Sequence, residues 1–149
     1  MKKLFFVLLV LFVSGCATVV PYKNLNLDTT SNFRTPAQGK AGIYVYQWKT
    51  GIFGAGMDVG FEIKGLPEVF LNTGEYCYFE VAQGAYEYKF RGGIFKQYFP
   101  VKFEVNQNYF FNAKISNFSD FVYLVRSQTE IDEAKNNILT ERYELCTND

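Results

Sequence analysis

The chain has 149 residues, in which 15 lysines and arginines balance 15 aspartates and glutamates, and it has no histidine. This balance argues against a nucleic-acid partner, because nucleic-acid-binding domains show a clustered basic excess. The lack of histidine removes the commonest metal ligand and the usual general base near neutral pH. We therefore expect no metal, no cofactor and no enzymatic activity.

The first fifteen residues have the pattern of a removable export signal. Lys2 and Lys3 form a positive region, residues 4–13 an apolar run, and residues 13–16 a small-residue cleavage site that ends in Cys16. The apolar run is too short to span a bilayer, which takes roughly 20 residues in a helix. Its removal would leave 134 residues, the 149 less these 15, which is enough for one domain.

The sequence Val-Ser-Gly-Cys at residues 13–16 resembles the lipobox of bacterial lipoproteins. The resemblance implies cleavage before Cys16, a diacylglycerol on its sulfur and an acyl chain on its new amino group. At about 0.8 kcal/mol per buried methylene, two or three chains hold a protein on a membrane. In such lipoproteins an Asp after the cysteine favours the inner membrane. Here Ala17 follows, which implies the periplasmic face of the outer membrane. An ordinary secretory signal that precedes a cysteine is the alternative.

Residues 16–39 are polar, include Pro21 and Pro36, and are predicted to form the lipid anchor and a flexible tether. Residues 40–127 follow as a β domain, because 16 Phe and 11 Tyr favour strands and the apolar residues alternate. We predict an antiparallel β-sandwich of about seven to eight strands, or a partly open barrel. The strand candidates are residues 43–48, 59–64, 68–71, 75–81, 85–91, 97–105, 109–115 and 121–126.

Residues 128–149 are predicted to hold one short helix and a tail. Thr129 can cap a helix that ends near Asn137, with acidic residues in its first turn. Residues 139–145 return as a short strand or lie along the sheet, and the remaining residues fray.

Two segments of the β domain are similar to each other. Residues 42–53 and 84–95 align without a gap, and six of their twelve positions are identical. One interpretation is that two aromatic strands end in similar glycine turns. The other is functional symmetry. If the two strands run in the same direction, their tips lie together and form interaction loops for a membrane or a partner groove. The tip residues are Ile52, Phe53, Ile94 and Phe95.

Two cysteines remain after lipidation, Cys77 and Cys146. In an oxidising periplasm they can form a disulfide, and closing a loop of about 70 residues would contribute roughly 4 kcal/mol to stability. In the other interpretation Cys77 is a buried small hydrophobic residue and Cys146 lies in a frayed tail.

Five carboxylates could in principle supply a glycosidase pair, although solvent-facing strand positions explain them equally well. They are Asp58, Glu62, Glu75, Glu80 and Asp120.

Residues 41–46, 71–81 and 105–111 resemble segments of a family of small, functionally uncharacterised bacterial lipoproteins. The resemblance covers residues 39–137. Ala82 and Gln83 depart from it, since they stand where related turns carry proline. It implies a sandwich of seven or eight strands and no activity.

Together these features predict a non-enzymatic binding or structural lipoprotein of the cell envelope. Its partners would be the membrane, through the N-terminal lipid, and an envelope protein or a glycan such as peptidoglycan. The alternative is a glycan- or small-ligand-binding module, less readily a degrading one, that uses an aromatic face of the sheet.

Overall fold

The computed structural model describes residues 33–47, 59–91, 97–115, 120–140 and 143–146, and within them the chain is mostly β. These residues form nine strands in two sheets, and one helix. The elements are β1 (Lys40–Gln47), β2 (Val59–Ile63), β3 (Val69–Leu71), β4 (Glu75–Ala82), β5 (Gly84–Arg91), β6 (Phe99–Phe103), β7 (Asn108–Ile115), β8 (Asp120–Leu124), α1 (Gln128–Thr140) and β9 (Glu144–Leu145).

All eight predicted strands are present, with ends that shift by a few residues. The predicted count of seven to eight is too low by one, because β9 adds a strand at the C-terminal side of α1. No helix among the described residues is long and apolar enough to cross a membrane.

The two sheets have different strand orders. One has five strands in the order β8-β7-β1-β4-β9, and the other has four in the order β3-β2-β5-β6. The prediction of a purely antiparallel arrangement is wrong, since β1 pairs with β7 in parallel and β4 pairs with β9 in parallel. The central strand β1 is buried from Ala41 to Gln47. A strand that is apolar on both faces does not specify the direction of its neighbours.

One core cluster draws its side chains from both sheets. The five-stranded sheet contributes Ile43, Val45 and Phe79, and the four-stranded sheet contributes Phe61 and Phe103. The ring centroids of Phe61 and Phe111, which belong to different sheets, lie 4.9 Å apart. Such aromatic pairs stabilise a core beyond the area that they bury.

The other face of the five-stranded sheet carries a layer of buried tyrosines, which we call the tyrosine layer: Tyr44, Tyr46, Tyr76 and Tyr78. Helix α1 covers it through Ala134 and Ile138, which are both buried. Burial raises the pKa of Tyr44, Tyr46 and Tyr78 well above the usual tyrosine value, so these hydroxyls stay protonated near neutral pH.

The N-terminus of α1 differs from the prediction. Ser127, and not Thr129, caps the helix: its Oγ accepts a hydrogen bond from the Glu130 backbone N–H at 3.2 Å. The Ser127 backbone N–H donates in turn to Glu130 Oε2 at 3.1 Å. This reciprocal arrangement is a capping box, which satisfies two backbone donors of the first turn. The helix extends to Thr140, three residues past the predicted end at Asn137.

The C-terminal residues of the described chain are fixed to the sheet. Cys77 and Cys146 form a disulfide with their Cα atoms 5.2 Å apart, and both are buried. The Cys146 backbone N–H also donates to the carbonyl of Tyr76 at 2.8 Å. Cys146 therefore does not lie in a frayed tail.

Candidate interaction surface at one end of the domain

Strand register brings the roots of the predicted interaction loops to one end of the domain, which we call the loop end. Gly60, near the start of β2, lies opposite Arg91, the last residue of β5. Gln47, the last residue of β1, lies beside Ala113 of β7. Ala113 packs in one cluster with Val59 and partly buried Phe90, so the ends of both sheets meet there.

The opposite end, which we call the turn end, holds the start of β1 and tight connections. Lys40 lies opposite Ala82, and a single residue, Gln83, joins β4 to β5. Asn106 has a φ of 60°, a left-handed conformation that asparagine tolerates in turns, and its N–H donates to the Lys40 carbonyl at 2.8 Å.

The large apolar side chains that are exposed in the described part of the chain lie toward the loop end. Phe70 of β3 is 48% exposed and lies opposite Gly60. Tyr123 of β8 is 40% exposed and lies opposite Asn112, one residue before Ala113. The two side chains stand on the outward faces of different sheets and do not form one continuous patch, so the end that they share is a candidate contact surface only together with the predicted loops.

Beside Phe70, a glycine makes room for an ion pair. Glu68 Oε2 lies 3.1 Å from Arg91 Nη2, and the Arg91 side chain is 68% exposed. Glu68 Oε1 lies against the Gly60 backbone, where a Cβ would come within 2.4 Å of that oxygen. Gly60 therefore lets Glu68 reach across the β2 backbone to Arg91.

Beside Tyr123, a row of polar side chains crosses the five-stranded sheet. Tyr46 lies next to Asn112, whose Nδ2 donates to the Tyr123 hydroxyl at 3.2 Å. Asn112 is 3% exposed. This hydrogen bond from the buried Asn112 amide holds the exposed Tyr123 ring in place.

The uncovered face of the four-stranded sheet carries a charged network around Tyr98. Glu62 accepts from the Tyr98 hydroxyl at 2.6 Å and from Lys89 Nζ at 2.7 Å. Lys89 Nζ also lies 4.7 Å from the centroid of the Tyr98 ring. The hydrogen bonds from Lys89 and Tyr98 lower the pKa of the Glu62 carboxyl. Glu62 and Lys89 therefore stay ionised near neutral pH and keep this sheet face hydrophilic.

The predicted site residues Cys16, Ile52, Phe53, Ile94 and Phe95 lie outside the described residues. The functional interpretation of the two similar segments required their strands to run in the same direction. Strands β1 and β5 do so, since both end at the loop end. The segments are not equivalent within the strands. Tyr44 belongs to the tyrosine layer, whereas its counterpart Tyr86 packs against the core cluster that both sheets share.

The carboxylates considered for a glycosidase pair have ordinary partners where they are described. Glu75 accepts from the Asn72 backbone N–H at 2.8 Å. Glu80 accepts from the Tyr78 hydroxyl at 2.8 Å, and Glu62 belongs to the network around Tyr98. The side chains of Asp58 and Asp120 lie outside the described residues. Within the described ranges, no group of three or more cysteines and carboxylates is placed to hold a metal ion.

Sequence reasoning missed Phe70, Tyr123 and an attachment at Phe33. Residues 69–71 are all apolar, and period-two alternation would have placed Phe70 on the face opposite Val69 and Leu71. Phe33 is an isolated aromatic residue in the polar stretch assigned to the tether. Its ring packs at 5.0 Å from that of Tyr44, so the chain is fixed to the sheet from Phe33 onward.

No protein-family model matches the chain, and no curated protein and no solved structure is detectably similar to it.

Proposed function

We propose that this protein is a lipid-anchored, non-enzymatic binding module on the periplasmic face of the outer membrane, and that the loop end is its contact surface. The anchor is Cys16, on the strength of the lipobox-like residues before it. What supports the contact surface is one observation: strands β1 and β5, which the two similar segments share, both end on the side of the domain where Phe70 and Tyr123 are exposed.

The same proposal includes a sandwich arrangement of the two sheets. Its support is the core cluster, in which Phe61 of one sheet packs against Phe79 and Phe111 of the other. A sandwich places connecting segments at its two ends, where a rigid scaffold presents them to partners.

A glycan- or small-ligand-binding module that uses an aromatic sheet face has less support. Such a site is a concave pocket with an accessible aromatic wall and a few convergent polar groups. The aromatic face of the five-stranded sheet is closed, because Tyr44, Tyr46 and Tyr76 are at most 2% exposed under α1.

The anchor is tested by a Cys16→Ser variant. We expect the native protein to carry acyl chains, visible in the mass of its N-terminal peptide, and to fractionate with membranes. The variant should lose the acyl mass and leave the membrane fraction when its signal is removed. A variant that still fractionates with membranes after its signal has been removed would exclude Cys16 as the main anchor.

The contact surface is tested by site-specific photocrosslinking in intact cells. A photoreactive residue at Phe70 or Tyr123 should crosslink to an envelope component. The same residue at Ala85, which is exposed on the sheet face of Phe70 but near the turn end, is the matched control. Equal labelling at Phe70 and Ala85 would contradict a contact surface at the loop end.

A further inference from the structure

Before β1 the chain crosses the outer face of the five-stranded sheet as a short segment, residues 33–37, which we call the strap. At its first residue, the Phe33 ring lies 5.0 Å from the ring of Tyr44. At its last residue, the Ala37 carbonyl accepts from the Lys40 N–H at 2.9 Å. The strap therefore runs from the middle of β1 back to the turn end, antiparallel to β1.

Side chains of the sheet hold the backbone of the strap. The Arg34 N–H donates to the Tyr44 hydroxyl at 3.2 Å, and the Arg34 carbonyl accepts from Asn108 Nδ2 at 2.9 Å. The Ala37 N–H donates to Glu80 Oε1 at 3.2 Å. These three bonds do not belong to a strand ladder, so their loss leaves the pairing of β1 with β4 and β7 intact.

A glycine of β1 makes room for the strap. Gly42 lies between its register partners Asn108 and Glu80, whose side chains both bind the strap backbone. A Cβ at Gly42 would overlap with Asn108 Oδ1. The missing side chain therefore lets the Asn108 amide lie over β1, where it reaches the Arg34 carbonyl.

The contacts of the strap are largely open to water. Phe33 and Arg34 are half-buried, Ala37 is exposed, and Pro36 is the one buried residue of the five. Arg34 Nε lies 3.8 Å from Glu80 Oε1, and an ion pair with an arginine that is 37% exposed stabilises little. Segments with few buried contacts open at a much lower free energy than the domain that carries them.

The connection between the strap and β1 is suited to such an opening. It consists of Gln38 and Gly39, which are both exposed. Gly39 has a φ of 77°, and glycine exchanges this conformation for an extended one without a steric penalty. Beyond it, β1 is buried from Ala41 onward and is paired along both edges. An opening that begins in the strap therefore ends at the first residues of β1.

We propose that the strap is a releasable clasp, which opens at Gly39 while the β domain stays folded and so changes where the N-terminal chain leaves the domain. With the strap closed, the chain leaves beside Tyr44. With the strap open, it leaves from Lys40 at the turn end.

Opening also lengthens the chain between the anchor and the domain. Cys16 lies 17 residues before Phe33 and 24 residues before Lys40, so the fully extended reach rises from about 60 Å to about 85 Å. This change of reach rests on the proposed function, because it needs the anchor at Cys16. The opening of the strap does not depend on the anchor.

Hydrogen exchange of the lipidated protein in nanodiscs, resolved to single amides by fragmentation mass spectrometry, tests the clasp. The Arg34, Ala37 and Lys40 amides should exchange more slowly than in the free peptide but much faster than the amides of residues 41–47. Exchange at the rate of the free peptide would show that the strap is not held. Exchange as slow as that of residues 41–47 would show that it does not open apart from the domain, and either result overturns the proposal.

A pair of tyrosine variants probes the clasp from the side of the sheet. Tyr44→Phe keeps the ring and removes the acceptor of the Arg34 N–H, so exchange at Arg34 and Ala37 should be faster by roughly tenfold, the effect of one hydrogen bond. Tyr76→Phe is the matched control, because Tyr76 is another buried member of the tyrosine layer, and it should leave exchange in the strap unchanged. No acceleration by Tyr44→Phe, or equal acceleration by both variants, would contradict the proposal.

The anchor is tested separately by mass spectrometry of the same protein sample. If Cys16 carries no acyl chain, the proposed function and the change of reach both fail. The exchange rates of the strap still decide whether the clasp opens.

Discussion

Gly60 in β2 lies opposite Arg91 in β5, and the Glu68 carboxylate that pairs with Arg91 rests on the Gly60 backbone. A Gly60→Ala substitution places a Cβ against Glu68 Oε1 and displaces that carboxylate from Arg91. Because the ion pair is partly exposed, we expect the free energy of unfolding to fall by only about 1 kcal/mol. Urea denaturation of the variant measures this change.

The effect of Gly60→Ala on the free energy of unfolding should change sign when Glu68 is absent. Alanine in a strand is favoured over glycine by roughly 0.5–1 kcal/mol, because glycine loses more backbone freedom on folding. In a Glu68→Ala background, Gly60→Ala should therefore be neutral or stabilising. An equal loss in both backgrounds would show that Glu68 is not the group that requires glycine.

The disulfide between Cys77 and Cys146 closes a loop with a sequence separation of 69 residues. Replacing both cysteines with serine should lower the free energy of unfolding by about 4 kcal/mol, since the open chain gains conformational entropy when unfolded. Urea denaturation of the double variant measures the loss. Identical unfolding of the native protein with and without a thiol reductant would contradict the bond.

The capping box predicts that two neighbouring hydroxyl residues differ in their effect on stability. Ser127→Ala removes the acceptor for the Glu130 N–H and should cost about 1 kcal/mol in the free energy of unfolding. Thr129→Ala, within the first turn, is the matched control and should change it little. Thermal unfolding compares the two, and a larger loss for Thr129→Ala would restore Thr129 as the cap.

Glu62 makes stability depend on pH. Its pKa is lowered by hydrogen bonds from Lys89 and Tyr98, so the folded state favours the ionised carboxylate. This contribution is complete above the ordinary glutamate pKa of about 4.3 and is lost as the pH falls through the lowered pKa of the folded state. The free-energy advantage of the native protein over Glu62→Gln should therefore shrink on acidification. A free-energy advantage that grew as the pH fell would contradict this prediction.

The attachment of residues 33–37 to the five-stranded sheet predicts protection of one tryptic site. The bond after Arg34 lies between Phe33, which packs on Tyr44, and Ala37, which donates to Glu80. Phe33→Ala should remove about 2 kcal/mol of local stability, because the ring is only half-buried. Cleavage after Arg34, followed by mass spectrometry, should then be faster by roughly thirtyfold. Phe33→Leu is the control and should show a smaller increase.

Local sequence patterns were sufficient for eight of the nine strands, because alternating or short apolar runs bounded by turn residues mark them. Tyr86, Tyr88 and Phe90 alternate with charged residues, and turn residues mark both ends of β5. The direction of a strand and the strands with which it pairs are not specified by such local patterns. The parallel pairing of β1 with β7 depends on contacts 66 residues apart, such as that of Val45 with its register neighbour Phe111, and no local pattern encodes them.

The candidate surface was predictable only in part. The similar segments 42–53 and 84–95 identified β1 and β5 as two strands that end on one side of the domain, but not the register that places Gly60 of β2 opposite Arg91 of β5. The helix cap was ambiguous for a local reason. Ser127 and Thr129 are each followed three residues later by an acid, and glutamate at that position completes the capping box around Ser127.

The central position of β1 has a consequence for the order in which the domain assembles. Its hydrogen-bonding neighbours, β4 and β7, follow it only after two and five intervening strands. The five-stranded sheet therefore cannot close until β7 has been synthesised, and such non-local topologies fold in milliseconds to seconds. Until β7 is present, β1 is paired along one edge only, and its other edge stays open to pairing with a strand of another chain.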